Sequence, residues 1–312
     1  MGTLFTITLY APGKSIAQNA AQAAFQRVAA LDEIMSDYQA DSELMRLCEA
    51  NPGQPVRVSP ELFDVLNQAQ KFSAMFDGAF DVTVGPLVRL WRFSRKKKIL
   101  PTPAQINQAA SSVGYKKLRL DAKARTVTLL APNMRLDLGG IAKGYAADQA
   151  LAILRGRGFA RALAAASGDI AVGDPPPGQR GWRVSIAKVD AHTNETFRSM
   201  LLHNAGISTS GDTEQFTEID GVRYSHIVSP RTGMGLTNRI QVTIIAPNAT
   251  TTDALATGVS VLGAARGLAL VDALPHTAAM IVTKRDVETR VFTSRRFKSF
   301  FTEPVATSKT IP

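Results

Sequence analysis

Apolar residues recur at helical spacing in some stretches of this chain and alternate in others. The two kinds of stretch are interleaved along 312 residues without a regular βαβ period. That pattern points to an α+β fold and away from a doubly wound parallel sheet. Residues 4–10 alternate like a strand. Ala11-Pro12-Gly13 turns the chain, and Ser15 is placed to cap a helix running to Met35, with Ile16, Ala20, Ala24, Val28, Leu31 and Met35 as its apolar stripe. Helices are expected over 60–76 behind a Ser59 cap, and over 103–113, 142–156 and 251–262. Strand-like runs cover 118–120, 126–130, 134–138, 182–187, 240–245, 280–282 and 289–293. Pro175-Pro176-Pro177 reads as a surface loop, because strand-like sequence resumes at Trp182. There is no internal repeat. Residues 1–302 are expected to form one domain, with 303–312 as a loose tail.

Composition excludes several kinds of chemistry. Cys48 is the single cysteine, so an internal disulfide framework and a cysteine-rich zinc site are both ruled out. His192, His203, His226 and His276 include no pair at the spacing of a helical di-histidine metal site. No apolar run is long enough to span a bilayer. Gly13-Lys14-Ser15 lies between a strand and a helix, like the end of a P-loop. The glycine needed five residues earlier is Thr8, so the phosphate cradle is missing. The net charge of +10 invites a nucleic-acid reading. Six of the ten residues from Arg89 to Lys98 are basic, with Trp91 and Phe93 among them. We read this stretch as a solvated loop beside a core tryptophan; no nucleic-acid-binding motif accompanies it. A basic surface also suits an anionic cofactor or an acidic membrane face.

Four segments carry candidate chemistry. In Leu136-Asp137-Leu138-Gly139-Gly140-Ile141-Ala142-Lys143-Gly144-Tyr145, a strand runs through two glycines into a helix start. Backbone there can approach a ligand closely and helix-start amides can face an anion, with Asp137 and Lys143 as acceptor and cation. A purely structural turn is the alternative. Ile207-Ser208-Thr209-Ser210-Gly211-Asp212 packs three hydroxyls, a glycine and a carboxylate into six residues, either as a hydrogen-bonding loop for phosphate or ribose or as a self-satisfied turn. His226, in Tyr224-Ser225-His226-Ile227-Val228-Ser229-Pro230-Arg231-Thr232-Gly233, is able to handle a proton or to serve structure alone. Asp253 and Thr257 lie four apart on an expected helix and so share a face. Their two hard oxygens suit Mg²⁺; alternatively, Asp253 caps the helix and Thr257 packs its methyl.

In combination these segments resemble the FAD:protein FMN transferase (ApbE) family over nearly the whole chain. The similarity includes Met1-Gly2-Thr3, Met35-Ser36-Asp37-Tyr38 with Asp41-Ser42-Glu43-Leu44, and Gly78-Ala79-Phe80-Asp81-Val82-Thr83. It continues through residues 136–144, 208–212, 225–233 and 253–257, in the family's order. The resemblance implies an ApbE-like fold of mixed or antiparallel sheets with packed helices. It implies an enzyme that cleaves FAD with Mg²⁺, moves FMN to a threonine or serine hydroxyl of a target protein as a phosphoester, and releases AMP. Carried over residue by residue, Met1, Tyr38, Ala79, Phe80, Asp81, Asp137, Lys143 and Val228 line the FAD site. Ser210, Gly211 and Asp212 join them from the hydroxyl-rich segment. Gly140 through its carbonyl, and Asp253 and Thr257 through their side chains, hold Mg²⁺. His226 and Asp253 are the catalytic candidates. Three positions depart from the family pattern: Ala256 where an acid can stand, Ser229 in place of the aspartate of His-x-x-Asp-Pro, and Thr213 where an aromatic often follows. An FAD pyrophosphatase and a non-catalytic flavin-binding protein are the alternatives. The implied partner is a flavin-accepting protein with a Ser/Thr-Gly-Ala-Thr-like motif, a membrane redox subunit, and not a nucleic acid. Family members are mostly exported, which implies a periplasmic or membrane-associated site of action with the leader outside this sequence; a cytoplasmic protein is the alternative.

Overall fold

The computed structural model describes residues 2–187, 196–211, 215–285 and 288–300. Met1, His192, Asp212, Thr213 and the tail over 303–312 lie outside these. A seven-stranded sheet organises the fold. Its strands are β1 (Phe5–Leu9), β5 (Ala162–Ala166), β6 (Asp169–Val172), β9 (Ala205–Gly211), β12 (Arg239–Ala246), β13 (Ala278–Arg285) and β14 (Glu288–Thr293), in that spatial order. Every neighbouring pair is antiparallel, in keeping with the α+β expectation. A smaller sheet is formed by β2 (Val56–Arg57), β4 (Thr126–Leu129) and β3 (Leu118–Asp121). Two ribbons, β7 (Trp182–Ala187) with β8 (Thr196–Leu202) and β10 (Phe216–Ile219) with β11 (Val222–Ser225), complete the β structure among the described residues.

Each face of the large sheet is covered differently, and the sequence pattern follows from that. On one face, Trp182, Val184, Ile186, Met200 and Leu202 of the β7–β8 ribbon pack with Ile207, Ile245, Met280 and Phe297. On the other lie α1 (Lys14–Met35), α6 (Ala142–Gly156) and α7 (Ala249–Leu262). Strand β12 is therefore buried on both faces, which is why residues 240–245 read as a nearly continuous apolar run. Alanines 20, 24, 147, 150, 162, 164 and 171 fill the α1–α6–sheet layer, so helices and sheet approach closely. Helices α2 (Glu43–Cys48) and α3 (Pro60–Met75) start at Ser42 and Ser59, whose side chains accept from Met45 and Leu62 amides. Helix α5 (Pro103–Ala110) starts with a Thr102–Gln105 capping box, and α8 (Ala264–Ala273) follows α7.

Four expectations change. Helix α1 begins at Lys14 behind Gly13, which gives no side-chain cap; Ser15 is inside the helix, and Ile16 is exposed at the solvated end. The basic stretch is helix α4 (Gly85–Lys97), not a loop. Leu87, Trp91 and Ser94 recur on its buried face, and Arg95, Lys96 and Lys97 sit at its C-terminal end, where cations complement the helix dipole. Residues 134–138 are extended but make only an isolated Val84–Arg135 bridge, because Met134, Leu136 and Leu138 point into the core while no full strand lies alongside. Residues 205–211 form a central strand rather than a loop. The β-branched Ile207 and Thr209 favour this, and the Ser208 and Thr209 hydroxyls meet those of Thr252 and Thr243 at 2.7 and 3.0 Å.

Gly144 lets α6 and α7 cross almost in contact. A Cβ there would lie far inside van der Waals contact distance of the Ala249 carbonyl oxygen and 2.9 Å from Asp253 Cβ. From α6, Asp148 caps α7 by accepting from the Ala249 and Thr250 amides at 2.9 and 2.8 Å, and Asn248 accepts from Thr251. Gly144→Ala is therefore expected to force the helices apart and cost about 1–3 kcal/mol, read as a fall of roughly 3 °C or more in Tm. An unchanged Tm would contradict the close-crossing account.

Candidate active site

Asp253 sits on the second turn of α7 and is buried, yet its carboxylate has partners that a core position would not provide. Its Oδ2 accepts from the Gly144 amide at 3.1 Å, in the first turn of α6. Helix α6 has no capping side chain of its own, so an acid from the neighbouring helix takes one of its orphan donors. Asp253 is thus not the cap of α7, a role filled by Asn248. Lys143, one residue before Gly144, holds its ammonium 3.3 and 3.5 Å from the two Asp253 oxygens and in contact with Asp169 Oδ2. Two carboxyl groups converge on one cation. Burial, then the neighbouring Asp169, push the Asp253 carboxyl up to about 7, against the pull of Lys143 and the Gly144 amide. Burial disfavours the Lys143 cation, but Asp253 and Asp169 outweigh it and hold its pKa above the usual lysine range.

Gly140 and Thr257 meet beside this cluster. A Cβ on Gly140 would lie 2.9 Å from Thr257 Oγ1 and 3.1 Å from Cγ2, so only glycine lets the turn lie against α7 here. Thr257 and Asp253 share the helix face that looks toward the start of α6. The donor set of a carboxylate, a hydroxyl and a nearby backbone carbonyl is hard and oxygen-only, which fits Mg²⁺ completed by water and phosphate. Lys143 already places a cation at the carboxylate. Among the described residues no cluster of three or more His, Cys, Asp and Glu side chains is close enough to hold a metal ion alone. Ala256 lies in the core cluster, and its carbonyl accepts from Ser260 at 2.8 Å.

The Gly-Gly turn also links this cluster to a second one. Asp137 Oδ1 accepts from the Gly139 amide at 2.8 Å, and its Oδ2 pairs with Arg92 at 3.2 Å. Arg92 pairs with Asp37 at 2.5 Å and lies 4.2 Å over the ring of Tyr38, which is 72% exposed. Burial first, then Asp37, raises the Asp137 carboxyl; the Gly139 amide and Arg92 oppose this. An exposed ring and a charge network therefore flank the Gly-Gly turn.

The other candidates are placed differently. Ala79 and Phe80 are buried in the main core. Asp81 accepts from the Thr83 amide and hydroxyl and from the Tyr115 amide, at 2.8, 2.7 and 2.7 Å, so it shapes the loop leading to α4. Val228 packs with Leu87, Trp91 and Tyr224 under α4. His226 follows β11, with Nδ1 3.1 Å from the Gln215 carbonyl oxygen. Ser210 and Gly211 end β9, opposite Val242 and Gln241; Asp212 lies outside the described residues. Ser229 is buried and accepts from the Thr232 amide at 3.4 Å.

The sequence reading did not include Asp169, Arg92, Asp37 or Asp148 among the site residues. Asp169 carried a usable signal. Ser167-Gly168 joins β5 and β6 as a two-residue hairpin, with Ser167 at φ 55°. The alanine run before it resembles a helix and conceals the hairpin.

The raised Asp253 carboxyl has a consequence for stability. Between the unfolded value near 4 and the folded value of about 7, the native chain holds a proton that the unfolded chain has released. This contribution to stability is lost as pH rises through about 7. In EDTA, Tm should fall from about pH 5 to about pH 8, and Asp253→Asn should flatten that fall. An identical slope in the variant would remove Asp253 from the explanation.

Comparison with known proteins places the chain in a family. The ApbE family profile matches residues 1–281. An FAD:protein FMN transferase of Vibrio cholerae is 31% identical over 97% of this chain and 91% of its own length. One from Salmonella typhimurium is 32% identical over 96% and 87%. The structure of the flavin transferase ApbE from Vibrio cholerae superposes with a TM-score of 0.87 at 31% identity, covering 96% of each chain. The ApbE protein of Thermotoga maritima gives 0.87 at 30% identity over 97% of each. A family profile over most of the sequence, relatives at 31% and 32% identity along nearly the whole chain and a shared fold lead to one conclusion: this chain belongs to the ApbE family and is a transferase.

Proposed function

We propose that this protein transfers FMN from FAD to a serine or threonine hydroxyl of a target protein, as a phosphoester, with Mg²⁺ and release of AMP. The observation that carries this reading is the meeting of Asp253, Lys143 and Thr257 at the Gly139-Gly140 turn into α6. A dianionic pyrophosphate needs positive charge to bind, and Lys143 together with a bound Mg²⁺ would supply it here. Mg²⁺ held by Asp253, Thr257 and the Gly140 carbonyl would supply Lewis acidity at the phosphorus that stays with FMN. Lys143, held by Asp169, would stabilise negative charge developing on the departing AMP.

The acceptor hydroxyl forms the new P–O bond, the pyrophosphate P–O bond breaks, and the hydroxyl proton passes to a base. We assign that proton to His226. Its Nδ1 lies 3.1 Å from the Gln215 carbonyl oxygen, a contact that orients the ring. Tyr38, stacked on Arg92, offers an exposed ring to the flavin or adenine. The acceptor is assigned a Ser/Thr-Gly-Ala-Thr-like motif on a membrane redox subunit, reached from a periplasmic or membrane-associated location. Among the described residues no helix is long and apolar enough to cross a membrane.

The test is AMP release from FAD with and without an acceptor peptide, followed by in-gel flavin fluorescence. Labelled peptide together with AMP is expected, and Asp253→Ala should abolish both. Thr257→Val should cost less, since water replaces a neutral ligand. His226→Ala should slow labelling by about 10²–10⁴-fold. AMP and FMN without labelled peptide would make the protein an FAD pyrophosphatase. No AMP under any condition would leave a flavin-binding protein only.

A further inference from the structure

Helix α4 carries more charge than the flavin site uses. Between Asp81 and Asp121 the chain has nine lysines and arginines and no acidic residue. Arg92 turns inward to Asp37 and Asp137. Arg89, Lys96, Lys97 and Lys98 are exposed, and among the described residues none of the four forms an ion pair. Phe93, 59% exposed, shares the helix face of Arg89, Lys96 and Lys97. Lys98, at φ 55°, ends the helix, and Ile99 follows it, 65% exposed. The opposite face is anchored by buried Leu87 and Trp91, whose Nε1 donates to the Gly233 carbonyl at 2.7 Å. The result is a helix end, anchored on its buried face, on which two large exposed apolar side chains stand among exposed cations.

We propose that this end of α4 docks the protein on an anionic lipid surface, with the basic side chains at the headgroups and Phe93 and Ile99 inserted at the acyl boundary. Three features favour a bilayer over other anionic partners. Consecutive lysines are mobile point charges, suited to a diffuse anionic surface and scarce at the centres of protein interfaces. A single-strand nucleic-acid site needs a groove with successive stacking rings. Here Trp91 is buried, Arg92 lies over Tyr38, and Ile99 has no π face. Exposed apolar groups beside cations also match the amphipathic pattern of interfacial helices. Because Arg92 on the same helix reaches Asp137 at the Gly-Gly turn, docking would hold the candidate active site next to the bilayer. The inference rests on α4 alone and does not depend on flavin transfer.

The experiment is co-sedimentation of the full chain with phosphatidylcholine vesicles, with or without about one-third phosphatidylglycerol, at about 0.1 M salt. Binding is expected only to the anionic vesicles and should weaken with salt. Joint replacement Lys96→Glu, Lys97→Glu and Lys98→Glu should lower the partition coefficient roughly 100-fold or more. Phe93→Ser with Ile99→Ser should lower it roughly tenfold while keeping the salt dependence. Both sets lie on the surface, and a parental Tm verifies their folding; if one set unfolds, the other still decides. Equal binding to uncharged vesicles, or folded variants that bind like the parent, would overturn the proposal. So would retention on a single-stranded oligonucleotide or a polyglutamate column without vesicle binding.

Discussion

The contact between α6 and α7 at Gly144 is the constraint on which the site depends. Because glycine lets the helices cross without a Cβ between them, the Asp253 carboxylate reaches an α6 first-turn amide instead of solvent. The same crossing brings Lys143 into reach of Asp253, and Asp148 closes it from the other side by capping α7. Gly140 repeats the device one turn earlier, against Thr257. A carboxylate otherwise costly to bury is kept by a helix start and an ammonium group. The result is a buried polar junction beside the Gly-Gly turn.

The large sheet fixes the third member of that junction. Asp169 opens β6 directly across from Ser208 on β9, and Ser208 reaches Thr252 of α7. Sheet, hairpin and both helices therefore converge within a few residues of Lys143. The Asp137–Arg92–Asp37 network joins this convergence to α4, so the helix bearing the basic surface is mechanically tied to the turn it flanks.

Much of this was legible in the sequence, for identifiable reasons. Local capping chemistry at Ser59 marked the start of α3, and the doubly buried β12 stood out as a continuous apolar run. The Gly139-Gly140 turn, Lys143, Asp253 and Thr257 were readable because strand-to-helix glycines and an i, i+4 pair are local patterns. What was hidden depended on distant partners. The hydroxyls of 208–210 looked like a loop until β6 and β12 flanked them, and the lysine-rich end of α4 looked like a loop until Leu87 and Trp91 were given a core. Asp169 and Arg92 matter because of residues 26 to 55 positions away, which no local pattern reports.

The central claim is that Asp253 and its neighbours bring a divalent cation and the FAD pyrophosphate to one place. Phosphorus NMR of FAD with the protein, titrated with Mn²⁺ as a paramagnetic substitute for Mg²⁺, tests this most directly. Both FAD phosphorus resonances should broaden at Mn²⁺ concentrations that leave free FAD sharp, and Asp253→Ala should remove that enhancement while retaining a parental fold. Broadening no greater than for free FAD, or unchanged by the substitution, would contradict the assignment of metal and pyrophosphate to this site.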